Sequence, residues 1–254
     1  MVGAGRAALI SEGVLAMLSF VVPAHDEEGA IAATVRAIRD AARSAQAEFE
    51  IIVVDDASSD RTAALAAAEG AQVVRVERRQ IAAARNAGAR AARGETFVFV
   101  DADTLIGADV VAGLQRAIGA GAVGGGAAIR FDAPTPRWLD VVLPASIWLA
   151  RRLRITGGCF LFSRRDAFEA VGGFDETLFA AEEIRLCRAL RARGEFVILR
   201  EAVLTSGRKL RTYSAFELLG AALRIGLAGS AGVRDRSRLG IWYAPRRPDR
   251  RGSR

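Results

Sequence analysis

LSFVVPAHDEEGAIAATVRAI, residues 18–38, sets how the rest of the chain is read. Leu18–Val22 is an apolar run of strand length that stops at Pro23. AHDEEG follows as a polar loop, and Ile31, Val35 and Ile38 then recur at helical spacing. The order is strand, loop, helix. The next segment repeats it: Phe49–Val54 reads as a strand and Asp55–Asp60 as a turn with Ser58 or Ser59 capping a helix. That alanine-rich helix runs to Gly70. Val73–Val76 is a third strand, and Gln80–Arg93 a helix closed by Gly94. Phe97–Val100 is a fourth strand, and Asp109–Ile118 a further helix. Strands alternating with helices predict a parallel sheet covered on both faces, an α/β fold of Rossmann-like plan.

Ligands of open α/β sheets collect beyond the carboxyl ends of the strands. Three acidic loops stand at such ends: HDEE (25–28), DDASSD (55–60) and DAD (101–103). In FVFVDADTL, residues 97–105, side chains alternate along an extended chain, so Asp101 and Asp103 lean to one side with Ala102 between them. Two adjacent carboxylates call for a cation or a proton. Hard oxygen ligands of this kind suit Mg²⁺ or Mn²⁺ shared with a substrate's phosphates.

The second half departs from the repeat. Ala122–Phe131 reads as a glycine-rich strand without a dinucleotide fingerprint, and TGGCFLFS (156–163) as a strand entered through Gly157 and Gly158. GGFDE (172–176) is a turn, and Leu178–Arg193 a helix closed at Gly194. FVIL (196–199) and AVLT (202–205) read as two short strands. Residues 138–153, WLDVVLPASIWLARRL, carry Trp138 and Trp148, are interrupted by Pro144 and run into a basic cluster. They read either as a helix packed on the sheet or as an interfacial segment.

Composition narrows the classes. The 254 residues hold a net charge of +7, almost all from arginine, with Lys209 the only lysine. Anionic partners are expected. The basic clusters lack interleaved aromatics, which points to phosphates or an anionic membrane surface and away from nucleic acid. Cys159 and Cys187 have no partner motif, which suits a reducing cytoplasm, with peripheral attachment at the inner face of the membrane as an option. No apolar run reaches the roughly 18–20 residues that span a bilayer. Residues 1–16 read as an extension outside the native fold, with Met17 as the candidate start.

Taken in order, VVPAHDEE, VVDDASSD, AARNAG (83–88), DAD, TGGCFLFSR, VGGFDE and AEEIRL (181–186) resemble the family 2 glycosyltransferases of the GT-A fold, over roughly residues 18–210. The resemblance implies a donor half at 17–131, a smaller mixed acceptor half at 132–212, and a basic helical tail at 213–254. It further implies a nucleotide-sugar donor of UDP or GDP type, a divalent cation (Mn²⁺ or Mg²⁺), inversion, and a saccharide or lipid-linked acceptor. By the same resemblance Asp103 would hold the cation with Asp101 beside it, and Asp55, with Asp56 as a weaker candidate, would accept hydrogen bonds from the base. Pro23, Ala24, His25 and Glu27 would form the facing wall. Arg85 would pair either with the diphosphate or with a loop aspartate. Glu183 stands at the catalytic carboxylate's position with Glu182 as companion, on a helix start expected to keep it ionised. Gly157 and Gly158 fall on the acceptor side.

Two departures stand out. Arg185 replaces the family's usual aspartate, and no histidine follows His25. TSGRKLR (205–211) occupies the place of that late element, with Arg208, Lys209 and Arg211 available as a cationic flap over the diphosphate or as a membrane-facing loop. Two alternatives stand beside a transferase. One is a haloacid dehalogenase-type phosphatase using Asp101 and Asp103. The other is a non-catalytic membrane-surface protein on a relict sugar-nucleotide fold.

Overall fold

The structure, a computed structural model, describes residues 17–132 and 139–208, together with Thr212, Gly220 and Arg234. The extension at 1–16, Trp138, Lys209, Arg211 and nearly all of the tail lie outside the described residues.

The elements run β1 (Leu18–Ala24), α1 (Ile31–Ser44), β2 (Phe49–Asp56), α2 (Thr62–Ala68), β3 (Gln72–Val76), α3 (Ile81–Ala91), β4 (Thr96–Val100), β5 (Thr104–Leu105) and α4 (Ala108–Gly119). They continue with β6 (Gly124–Phe131), α5 (Leu139–Leu153), β7 (Phe160–Arg164), α6 (Arg165–Ala170), α7 (Glu182–Arg191) and β8 (Phe196–Thr205). One sheet holds the strands in the order β3-β2-β1-β4-β7-β6-β8-β5. The first four are parallel, as the alternation predicts. β7 then enters antiparallel to both β4 and β6, β8 runs parallel to β6, and β5 antiparallel to β8, giving the mixed half.

Strand alternation sorts the core into two layers. Phe20, Val22, Val98, Val100, Phe160 and Phe162 face α1, α2 and α4. Val21, Ile52, Val54, Phe97, Phe99 and Leu161 face α3, α6 and α7. Contact with α3 is close because of Gly88: a Cβ there would sit 2.3 Å from Val21 Cγ1 and 2.9 Å from Val54 Cγ2.

Several local expectations are corrected. Neither serine caps α2, which begins at Thr62 with no side-chain cap on Arg61; the serines instead bond across to Asp26. The helix expected from Leu178 begins at Glu182, because Gln80 Nε2 donates to the Glu176 and Leu178 carbonyls and holds that stretch as a loop. Residues 196–205 form one strand, whose register against β6 slips between Gly126 and Ala128. Two elements were not anticipated, the two-residue β5 directly after DAD and the short α6. Both are too brief for periodicity to register.

Chain direction reverses its sideways progress between β1 and β4, since β1 leads outward to β2 and β3 before the chain returns to β4. Their pairing ends at Val21 and Phe99, so Pro23 and Ala24 lie beyond it and the strand ends part. This is the crevice where the loops after β1, β2 and β4 meet.

Candidate active site

The wall on the β1 side is built by zipping two loops together. Asp26 N–H donates to Ser58 Oγ (3.0 Å), Glu27 N–H to Thr62 Oγ1 (2.7 Å) and Glu28 N–H to Asp60 Oδ2 (3.1 Å), while Ser59 N–H returns to Asp26 Oδ1 (2.7 Å). Asp26 and Ala57 take left-handed backbone (φ 50° and 58°), a cost accepted by non-glycine residues mostly where surroundings fix the loop. His25 is pinned between the Asp56 carbonyl, 2.8 Å from Nδ1, and Asp26 Oδ2, 3.1 Å from Nε2. Asp55 is buried at the end of β2 and accepts Ser58 N–H at 3.3 Å. Asp56 points elsewhere: its carboxylate accepts the backbone N–H groups of Arg78, Arg79 and Gln80 (2.7, 2.7 and 2.8 Å), which anchors the entry to α3.

At the end of β4, Asp101 and Asp103 keep side-chain exposures of 30% and 25%, so both are reachable from the crevice. Ala102 between them is buried, and its carbonyl accepts the Thr34 hydroxyl at 2.7 Å. The DAD turn is also held from the mixed half, by Asp101 N–H to the Cys159 carbonyl and Ser206 N–H to the Asp103 carbonyl. Arg208 bridges the two walls, with Nη2 3.4 Å from Glu27 Oε1 and 3.6 Å from Asp103 Oδ2. Two solvent-reachable carboxylates form an open set of hard oxygen donors. That chemistry fits a divalent cation that keeps waters and takes its other ligands from phosphates.

Arg85 joins this edge to the acceptor side. The residue is 1% exposed, and its guanidinium donates to Asp101 Oδ1 (2.9 Å), Glu182 Oε1 (2.8 Å) and the Gly158 carbonyl (2.7 Å), lying over the Phe174 ring at 5.2 Å. Against the desolvation of that burial, Asp101, Glu182 and Glu183 raise its pKa. Arg85 thus pairs with a loop aspartate here. A Cβ at Gly158 would lie 3.1 Å from Arg85 Nη2 and 3.8 Å from Glu183 Cδ, which puts Glu183 in the same group. Gly157 is exposed beside it.

Glu182 and Glu183 open α7 behind Ala181, another left-handed residue (φ 60°). Burial, reinforced by Glu182 alongside and opposed by Arg85, pushes the Glu183 carboxyl up to about 7. The helix start was expected to keep it ionised, and desolvation outweighs that effect. Arg185 pairs with Asp175 of the GGFDE turn. That turn is fixed a second time by Asn86, whose Nδ2 donates to the Phe174 carbonyl (2.9 Å) and whose Oδ1 accepts Phe174 N–H (3.0 Å). The Arg-Asn pair of AARNAG thus serves as a double tether, through Arg85 to the site and through Asn86 to the turn.

Sequence reasoning missed Thr34 and Phe174. A hydroxyl on the inward face of an apolar helix needs a partner, and that signal was present for Thr34. Burial, followed by Asp101 and Asp103, pushes the Cys159 thiol up to about 12, so it stays protonated next to the site.

Comparison with known proteins follows the same outline. The model of "Glycosyl transferase family 2" matches residues 19–172, more than half of the chain. The chain belongs to glycosyl transferase family 2. Among curated relatives of this family 2 chain, a Rhizobium meliloti (strain 1021) protein named "Succinoglycan biosynthesis protein ExoO" is 30% identical over 202 residues, covering 75% of this chain and 57% of the relative. An "Undecaprenyl-phosphate 4-deoxy-4-formamido-L-arabinose transferase" from Pseudomonas paraeruginosa (strain DSM 24068 / PA7) is 32% identical over 201 residues, covering 70% and 59%. The chain therefore spans less than two thirds of the length of these relatives. The GT-A fold is shared with S. aureus TarS 1-349, solved alone and in complex with UDP-GlcNAc (TM-score 0.61 and 0.62, 16% identity for both; 89% of this chain, 69% and 70% of that one). It is shared also with the mannosyltransferase PcManGT from Pyrobaculum calidifontis in complex with GDP-Man and Mn²⁺ (TM-score 0.62, 21% identity; 85% and 61%). The phosphatase and relict-scaffold alternatives are not favoured by these matches.

Proposed function

We propose that this family 2 chain transfers a sugar from a UDP- or GDP-sugar to an acceptor hydroxyl with inversion, with the donor half at 17–131 and the acceptor half at 132–212. The supporting observation is the Arg85 node, which brings Asp101, at the parted strand ends, and Glu182, next to Glu183, onto one guanidinium. Diphosphate edge and a half-buried carboxylate base are thereby parts of one site.

In this reading Asp55 accepts the ring N–H of the base, with Pro23, Ala24, His25 and Glu27 along the facing wall and Arg208 near the diphosphate. Asp103, with Asp101, would hold a divalent cation, Mn²⁺ or Mg²⁺, whose bound charge would offset the charge developing on the departing diphosphate. Glu183 takes the proton of the acceptor hydroxyl as its oxygen forms a bond to the anomeric carbon and the bond from that carbon to the nucleotide oxygen breaks on the opposite face. A base whose pKa stands near 7 is half ionised at neutral pH and keeps driving force for the transfer. Arg85 acts as a positioning residue, since it holds Asp101 and Glu182, and Glu182 in turn bonds Glu183 behind Gly158 on the acceptor side.

Related structures are complexes with GDP-Man and Mn²⁺ and with UDP-GlcNAc, which supports a donor of this class. One relative's name includes undecaprenyl phosphate and another's succinoglycan, which supports a lipid-linked or saccharide acceptor in the cell envelope, met at a membrane surface. The test is metal-dependent release of nucleoside diphosphate from labelled UDP- and GDP-sugars. Asp103→Ala should abolish it, and Glu183→Gln should bind donor without transfer. Transfer retained by Glu183→Gln would remove Glu183 from the base role.

A further inference from the structure

α5 carries two apolar faces. Leu139 is buried and Leu143, Ile147 and Ala150 are half-buried on the inner side, toward β8. Val142, Ala145, Leu149 and Leu153 are exposed, spaced three, four and four residues apart, so they form a continuous outer stripe. Among the described residues five large hydrophobic side chains are exposed, and four of them are on this helix: Val142 (45%), Trp148 (67%), Leu149 (48%) and Leu153 (45%). Scattered surface hydrophobics need no explanation, but this concentration on one helix does. Arg151, Arg152 and Arg154 are all exposed at its carboxyl end, and residues 142–154 contain no acidic side chain.

We infer that the outer face of α5 docks on an anionic lipid bilayer, with the helix lying in the plane of the interface. Fifteen residues make a helix about 22 Å long, and no helix among the described residues is long and apolar enough to cross a membrane. An amphipathic helix with an exposed aromatic beside its apolar stripe, and with its one acidic residue, Asp140, at the end opposite the arginines, matches the chemistry of a headgroup layer over acyl chains. A protein partner would call for a mixed polar rim, and the exposed run from 142 to 154 offers only arginine and Ser146 around the stripe. Gly157 and Gly158 follow Leu153 by only a few residues. Docking would thus hold the acceptor-side loop, with Glu183 behind Gly158, at headgroup height. This last consequence rests on the transferase reading; the docking itself does not.

The experiment is flotation of the full-length chain with vesicles of phosphatidylcholine alone or mixed with phosphatidylglycerol. Binding is expected only to the anionic vesicles and should weaken as salt is raised. Changing Arg151, Arg152 and Arg154 together to Gln should lower partitioning about a hundredfold, roughly fivefold per arginine. Leu149→Ser with Leu153→Ser should lower it further, while cation-dependent binding of UDP or GDP stays unchanged. Should those serine variants fail to fold, bromolipid quenching of the wild-type chain supplies the same information: a quenched component that disappears in Trp148→Phe is expected. No flotation, or equal flotation of wild type and stripe variants, would overturn the inference. So would a concentration-dependent dimer that the stripe variants abolish, since the face would then be a protein interface. A chain that floats as described yet binds no nucleotide would leave the docking standing and sink the transferase reading alone.

Discussion

Replacing Arg85 by Met keeps the apolar stem and removes the guanidinium from three acceptors at once: Asp101 at 2.9 Å, Glu182 at 2.8 Å and the Gly158 carbonyl at 2.7 Å. Deleting one partner of a buried ion pair costs about 3–5 kcal/mol, because the remaining charge stays desolvated. The two carboxylates do not share that cost equally. Asp101 is 30% exposed and recovers solvation, whereas Glu182 is only 4% exposed. The expected loss is therefore near the low end, about 3 kcal/mol in urea unfolding. Arg85→Lys keeps the charge but cannot fork to three acceptors, and about half that loss is expected. Adding Glu182→Met to Arg85→Met should return at least about 1 kcal/mol relative to the sum of the single changes, the signature of direct coupling. An Arg85→Met protein within about 0.5 kcal/mol of wild type, with transfer intact, would refute the claim that this residue joins the two halves of the site.

Four further outcomes follow from the geometry. Turnover should rise with pH through about 7, where Glu183 ionises, and then level off, and a pH–rate profile without that limb would contradict the assignment. Asp56→Ala removes the acceptor of three backbone N–H groups at the start of α3 and should cost about 1–2 kcal/mol in urea unfolding, with nucleotide affinity largely kept. Gly88→Ala drives a methyl into Val21 and Val54 and should cost about 1–3 kcal/mol by the same measurement. Against its desolvation, Glu50 is held below the usual carboxylate range by Ser19, Arg93 and Gly94. Its contribution is thus complete above the unfolded carboxylate's pKa and lost as pH falls through the lower folded value. Glu50→Gln should flatten that acid limb of the urea midpoint.

Much of the donor half was legible because its first four strands are short apolar runs followed at once by polar residues, and period-2 and period-3.6 patterns do not overlap there. The mixed half was less so. β7 follows two glycines just as a parallel strand would, and its antiparallel direction comes from pairing with β4 and β6, which no local pattern encodes. The site behaved similarly. Asp101 and Asp103 were visible as a strand end with two carboxylates, but Asp56 sits in an equally acidic loop and is turned to the backbone of α3. Arg85 lies on an alanine-rich helix, and the sequence leaves both a diphosphate and a loop aspartate open to it. Only the meeting of β4, α7 and Gly158 tells which anions it holds. The pKa of Glu183 was likewise out of reach, since desolvation depends on what covers the carboxyl.

The most direct test of the central claim is titration of UDP and of GDP into the purified chain with Mn²⁺, Mg²⁺ or chelator. One nucleotide is expected to bind only with the cation, with binding lost in Asp103→Ala and retained in Glu183→Gln. Cation-independent binding that survives Asp103→Ala, or no binding of either nucleotide, would contradict it.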